Sequence, residues 1–362
     1  MEFLDGSWKK EVSSWDALMR EELLNQEAIL EGAIHSIRNM GDVAFVIIRR
    51  REGLFQTVFV NEDVDFSIHN LKEGMTVRVK GVVNKEERAP HGRELHICEI
   101  QVLSSPAEPL PLAIDKWKLN TSLEAKLNYR SLSLRNIQER ARFKIQEALT
   151  RAFRDYLYEN GFTEIHTPKI GARGAEGGAN LFKLQYFHKP AVLAQSPQFY
   201  KQMAMAAGFE RIFETGPVFR AEKSYTNKHA TEFSGFDLEF SYITSFKDVM
   251  KMEEELLTAG LQAVKDNYGD QIKELFGLEV IVPTTPFPVV KLADLYKALE
   301  EEFGYTVDES EKGDLTTEAE RLSYDWVKKH YGHEFLFITD YSAEKRAFYH
   351  MRDENGVPQG YD

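Results

Sequence analysis

Five short strand-like runs crowd into residues 27–103: AILEGAIHSIR, VAFVIIRR, LFQTVFV, MTVRVKGVV and ELHICEIQVL, each broken from the next by Gly, Asn, Asp or Pro. Successive side chains on a strand point to opposite faces, so each run predicts a strand with one face to bury. Five strands this short have no separate layer to pack on. Closing on one another is their economical solution, and the expectation is a small five-stranded barrel. Just before it, SSWDALMREELLN reads as a short helix started by Ser13 or Ser14.

A barrel of this size matches the five-stranded OB-fold, whose face often binds oligonucleotides. Arg38, Phe45 and Gln56 fall on or beside its neighbouring strands. A cation, a stacking ring and an amide for base edges suit single-stranded RNA. A core position for Phe45 is the competing reading.

Pro106, Pro109 and Pro111 then mark a semi-rigid linker. Beyond it, apolar residues at Ile137, Ala141, Ile145, Leu149, Phe153 and Leu157 keep a helical period, and Gly161 is placed to end that helix. FTEIHTP, KLQYF, RIFETGPVFR, FSGFDLEFSYI and FLFITDY predict strands, with further helices near 197–207, 246–265, 290–303 and 315–331. Mixed order with hairpin-like returns predicts an α+β fold on an antiparallel sheet. The expected organisation is a barrel domain over 1–104, a hinge over 105–130 and a larger domain over 131–362.

Charge and cysteine usage exclude several classes. The formal charge is −13, which argues against nucleic-acid binding by bulk positive charge but leaves room for a local basic patch. Cys98 is the single cysteine, so disulfides within the chain and cysteine metal sites are out. The start MEFLDGSWKKEVSSWD lacks the apolar core of a signal peptide, and no run approaches the roughly 18 apolar residues of a membrane span. A cytoplasmic protein is expected. HExxH, Gly-x-Ser-x-Gly and P-loop signatures are all missing from the sequence.

The densest chemistry lies between Phe213 and Phe240. If the two alternating segments there pair as a hairpin, Arg220 and Glu222 point one way from the first strand. Phe233, Asp237 and Glu239 share one face of the second. A planar guanidinium suits phosphate oxygens and Phe233 suits a flat base. An ordinary solvated hairpin with cross-strand ion pairs is the competing reading. In AQSPQFYKQ, Ser196 and Pro197 predict a helix start, with Gln198 and Lys201 on one face of its first turn. A lysine at the positive end of a helix is electrostatically misplaced unless it meets an anion; an exposed lysine without a role is the alternative. GARGAEGGANLF, with Glu176 among four glycines, predicts a loop that moves or approaches a ligand closely, or a plain surface loop.

Together these residues resemble the class II aminoacyl-tRNA synthetases, and within them the aspartyl-tRNA synthetases of archaeal/eukaryotic-like type. GFTEIHTPKI is similar to the family's first motif, FRAE followed by HATEF to its second, and QSPQFYKQ to the segment that marks the aspartate enzymes. The resemblance implies ATP and Mg2+ as reaction partners, L-aspartate and tRNA as substrates, and a homodimer with Pro168 at its interface. It implies that Arg220 holds the α-phosphate and the substrate carboxylate. Ala221, Glu222, Lys228, His229, Ala230 and Phe233 would surround ATP. Glu176, Gln198, Lys201 and Asp237 would hold the amino acid, and Arg38, Phe45 and Gln56 the anticodon. It also places a third motif and the expected metal ligands beyond residue 362. An asparagine-using ligase or paralogue, and a non-catalytic relative that binds tRNA or a partner, are the other readings.

Overall fold

The computed structural model describes residues 12–175, 181–221 and 230–362. The chain forms two compact units that divide between Lys144 and Ile145.

In the first unit, α1 (Trp15–Met19) starts where the Ser14 hydroxyl accepts from the Ala17 amide at 3.1 Å. It is shorter than the sequence predicts, because Arg20 is extended and a single 3-10 turn, Glu21–Leu23, follows. The five predicted strands all form: β1 (Glu27–Asn39), β2 (Val43–Arg49), β3 (Leu54–Val60), β4 (Thr76–Lys85) and β5 (Arg93–Ser104). They close in the order β1-β2-β3-β5-β4, with β4 returning to β1. Closure leaves no unpaired edge in the barrel. Leu30, Ile34, Val46, Ile48, Phe55, Phe59, Val77, Val79, Leu95 and Ile97 fill the interior.

Asn136 then organises the chain leaving the barrel. Its Nδ2 donates to the carbonyls of Ile114 (3.2 Å) and Lys116 (2.6 Å), while Oδ1 accepts from the amides of Gln138 and Glu139. One buried amide thus holds the Pro-rich segment and satisfies the first turn of a helix. After α2 (Leu123–Asn128) and α3 (Arg130–Ser133), that helix is α4 (Ile137–Glu159). It ends before Gly161, whose positive φ of 77° only glycine adopts without strain.

The second unit continues with β6 (Thr163–Glu164), β7 (Ile170–Gly171), β8 (Lys183–Tyr186) and β9 (Lys189–Leu193). Next come α5 (Gln198–Ala206), β10 (Arg211–Phe219), β11 (Glu232–Phe240) and α6 (Lys247–Phe276). β12 (Val289–Lys291), α7 (Leu292–Phe303), α8 (Thr317–Tyr331) and β13 (Phe337–Thr339) complete it. β10 and β11 pair antiparallel without a slip, from Arg211↔Phe240 to Phe219↔Glu232. Parallel pairs also occur, β6 on β10 and β12 on β13. FTEIHTP therefore contributes only two strand residues.

Alternation splits the β10–β11 pair cleanly. One face carries Phe213, Phe236, Leu238 and Phe240, which pack on Phe153, Tyr156 and Leu157 of α4 and on Met252 and Leu256 of α6. Gly260 of α6 lets the two helices approach, since a Cβ there would lie 2.2 Å from the Phe153 ring. The opposite face is the polar one. A separate small core joins Leu292, Leu295 and Leu299 of α7 with Leu322, Trp326 and Val327 of α8.

Barrel closure gives a direct test. At Gly81, beside an irregularity in the β4–β5 register, an ideal Cβ would sit 2.0 Å from the His96 carbonyl oxygen. That oxygen belongs to the backbone and cannot swing away, so Gly81→Ala is expected to cost about 2–4 kcal/mol through forced strand separation. Urea denaturation followed by circular dichroism checks it.

Candidate functional site

The polar face of β10 and β11 is a set of direct cross-strand neighbours. Ile212 faces Glu239, Glu214 faces Asp237, Gly216 faces Gly235 and Val218 faces Phe233. The glycine pair leaves bare backbone in the middle. Charged groups stand at one end and Arg220 with Phe233 at the other. Arg220 continues β10, its amide donating to the Thr231 carbonyl at 3.0 Å, and its guanidinium carbon lies 5.5 Å from the centre of the Phe233 ring. That is cation–π range, so the ring and the cation form one surface.

α5 brings the next two residues. The helix begins at Gln198, one residue later than predicted, with Pro197 at the N-cap position. The Ser196 hydroxyl still accepts from the Gln198 amide, at 3.3 Å. One turn in, the Lys201 side chain is only 6% exposed and its ammonium is bound to Asp237 and, at 3.2 Å, to Glu239. The Gln198 amide reaches Glu239 at 3.4 Å. A buried ammonium is costly unless carboxylates surround it, and here two do. The misplaced charge seen in the sequence is thus explained by the hairpin opposite it.

Two charged residues that the sequence reading passed over complete this face. Glu214 is 4% exposed, accepts from the Thr167 amide (2.8 Å) and hydroxyl (2.7 Å), and pairs with Lys169 at 2.9 Å. Burial would raise its pKa, but the hydrogen bonds from Thr167 and Lys169 outweigh burial and hold the carboxyl below its ordinary value. Period-two spacing from Arg220 back through Val218 and Gly216 was the available signal for Glu214. Lys169 had none, because only the fold brings it over β10.

Lys169, Glu214 and Arg220 line a cavity of about 170 Å³ together with Gln195, Ser196, Gly216, Phe233 and Asp237. A larger cavity of about 830 Å³, between the start of α6 and β12, is walled by Phe246, Met250, Phe287 and Pro358. It contains none of the residues singled out in the sequence. Ala221 and Ala230 flank the hairpin at the ends of the described segments, and Pro168 is exposed next to Lys169. Glu176, Glu222, Lys228 and His229 lie outside the described residues.

In the barrel, the strand pattern settles Phe45. The core side of β2 is Ala44, Val46 and Ile48, so Phe45 is on the outer face with Ile47. Arg38 is its direct partner on β1, and Gln56 on β3 pairs with Ile47. The three predicted residues thus share one outer surface. It extends to β5, where Glu94 accepts from the Gln56 amide at 2.7 Å and meets the His96 ring at 2.9 Å. Alternation in RELHICEI places Glu94 and His96 on one face and could have found them.

A bulge between Ile34 and Ser36 turns His35 inward against Arg49, 3.5 Å away. Burial, then the Arg49 charge, lower the His35 pKa to about 4, against a smaller opposing pull from Asp115.

Similarities to known proteins agree with that layout. Residues 122–360 match the family described as tRNA synthetases class II (D, K and N), and residues 28–103 match an OB-fold nucleic acid binding domain. The chain belongs to the class II tRNA synthetases. Among curated relatives, the Thermus thermophilus protein named aspartate–tRNA(Asp/Asn) ligase is 38% identical over 341 residues, 94% of this chain and 78% of the relative. The Aeropyrum pernix protein of the same name is 37% identical, over 93% of this chain and 76% of its own length. Among solved structures, the asparaginyl-tRNA synthetase of Pyrococcus horikoshii complexed with asparaginyl-adenylate superposes with a TM-score of 0.82 at 30% identity. That match covers 97% of this chain and 80% of the other. The two family matches cover the barrel and the unit that holds the β10–β11 pocket. Among the described residues no helix is long and apolar enough to cross a membrane.

The buried imidazole yields a pH prediction for this synthetase. His35 has a folded pKa near 4 and an ordinary one near 6.5, so unfolding takes up a proton between those values. Its neutral form therefore favours the fold fully above about pH 6.5 and progressively less as pH falls towards 4. His35→Gln is expected to flatten this part of the stability profile, by on the order of 2 kcal/mol between pH 7 and pH 4.5. Urea midpoints of both proteins across that range measure it.

Proposed function

We propose that the protein is an aspartate–tRNA ligase that activates L-aspartate with ATP and transfers it to tRNA. The observation that carries this reading is the buried Lys201 ammonium, held by Asp237 and Glu239, with Asp237 itself lining the pocket of Arg220 and Phe233. A cation fixed at that depth selects an anionic side chain. Two carboxylates already compensate the ammonium in the free protein, so the preference lies in the stronger charge-assisted bond it can give an aspartate carboxylate than the isosteric asparagine amide. The names of the Thermus and Aeropyrum relatives support the same substrate.

In this reading Lys201 and Gln198 bind the aspartate side, with Asp237 holding the lysine in place. Phe233 stacks on adenine while Arg220 spans the substrate carboxylate and the α-phosphate. The carboxylate attacks the α-phosphorus, aspartyl-adenylate forms and pyrophosphate leaves with the bridging oxygen. No general base is required, since the nucleophile is already ionised at neutral pH. Arg220 works by neutralising charge that gathers at the phosphorus and by aligning the two reactants. The terminal ribose hydroxyl of tRNA then takes the aspartyl group. Glu176 would close over the amino group, and Ala221, Glu222, Lys228, His229 and Ala230 would line the ATP side.

Among the described residues no three His, Cys, Asp or Glu side chains gather as a metal cage. Mg2+ would arrive with the ATP substrate. Arg38, Phe45 and Gln56 would meet the anticodon, with Glu94 fixing the Gln56 amide. A homodimer through the Pro168 region and a cytoplasmic location complete the proposal.

Lys201→Leu is expected to raise the aspartate KM in ATP–pyrophosphate exchange by about 100-fold or more while the ATP KM stays within about threefold, as for removal of a buried charge partner. An unchanged aspartate KM, or exchange driven by asparagine or lysine and not by aspartate, refutes the assignment.

A further inference from the structure

Lys169 stands directly above the glycine floor between the two ends of the pocket. A Cβ built on Gly216 would lie 3.5 Å from both its Cε and its Nζ. Gly216 faces Gly235, whose own Cβ position meets nothing within 4 Å. The ammonium therefore hangs over open backbone, with Lys201 and Asp237 towards one side and Arg220 and Phe233 towards the other.

Its anchoring is equally specific. The side chain is 22% exposed, its Nζ pairs with Glu214 at 2.9 Å and it donates to the Thr167 hydroxyl at 3.3 Å. An ammonium has three donors, and these contacts occupy two. Glu214 in turn accepts from the Thr167 hydroxyl at the oxygen that pairs with Lys169 and from the Thr167 amide at the other. Such bracing fixes the position of the lysine more firmly than a surface pair would.

Charge balance points the same way. Among the described residues of this face, Lys169, Lys201 and Arg220 stand against Glu214, Asp237 and Glu239. Without Lys169 these groups are net negative, and two anionic reactants must still approach each other there.

We propose that Lys169 is a further catalytic residue of the adenylation reaction, offering its remaining N–H to the amino-acid α-carboxylate as it meets the α-phosphate. The inference rests on the ligase reading given above. A carboxylate oxygen forms the new bond to phosphorus, and the bond from phosphorus to the bridging oxygen breaks. Pyrophosphate carries away the electron pair. Lys169 keeps its proton throughout and acts by lowering the repulsion between nucleophile and phosphate.

The test compares the full-length enzyme with Lys169→Met, Lys169→Arg and Glu214→Gln in aspartate-dependent ATP–pyrophosphate exchange, with Tm recorded for each. Lys169→Met is expected to lower kcat by about 100-fold with the ATP KM little changed, the scale of losing one charge-stabilising donor. Lys169→Arg, which keeps the charge, should recover most of that loss. Glu214→Gln keeps the ammonium but removes the carboxylate that holds it in place, so it should lower kcat by about 10-fold, between wild type and Lys169→Met, with the ATP KM little changed. A merely structural ion pair predicts instead that Lys169→Met and Glu214→Gln lose activity equally, in step with Tm. That result, or an unchanged kcat in Lys169→Met, overturns the proposal. If the wild type exchanges only with another amino acid, the aspartate reading fails alone, and the same variant ratios measured with that amino acid still decide the role of Lys169. Absence of exchange with aspartate, asparagine and lysine alike refutes both.

Discussion

The second unit depends on the unbroken antiparallel register of β10 and β11. Because every residue from Arg211 to Phe219 has a direct partner between Phe240 and Glu232, the two faces of the ribbon never mix. One face is apolar and holds α4 and α6. The other gathers Glu214, Asp237, Glu239, Phe233 and the two glycines. A slip of one residue would turn Phe236 and Leu238 into the pocket and bury the carboxylates against the helices. Packing of the apolar face therefore protects the chemistry of the polar one.

Within that pocket, charge is arranged around a gap. Paired glycines keep the centre flat, and ionised groups at its margins hold each other in place. The Lys201 ammonium is stabilised by carboxylates on β11, and Glu214 on β10 by Thr167 and Lys169. Each pair joins a strand of the ribbon to a segment from elsewhere in the chain. Such pairs contribute little net stability when buried, since desolvation offsets most of the attraction. What they do is fix where each charge stands on the polar face.

Much of this was legible in advance. The five barrel strands and the main helices follow from period and punctuation, and the hairpin with its polar face follows from alternation. Phe45 shows where that reading stopped: VAFVII is too uniformly apolar to say which face is buried, and only the partners Ala44, Val46 and Ile48 inside the barrel decide it. α1 is similar, since a good cap and helix-forming residues predict more helix than forms once Arg20 turns extended. For Ser196 the capping bond exists, yet the helix starts one residue further on.

The sequence by itself determined the local pattern: which residues alternate, which segments are helical, and that Phe233, Asp237 and Glu239 share one face of a strand. Those are short-range properties, set by backbone geometry and side-chain type. Tertiary structure alone decided the meetings across long separations, Glu94 with Gln56, Glu239 with Lys201, and Lys169 with Glu214 over Gly216. Spacing along the chain carries no information about such contacts. They exist because apolar faces elsewhere had to be buried, and burying them carried the charged groups together.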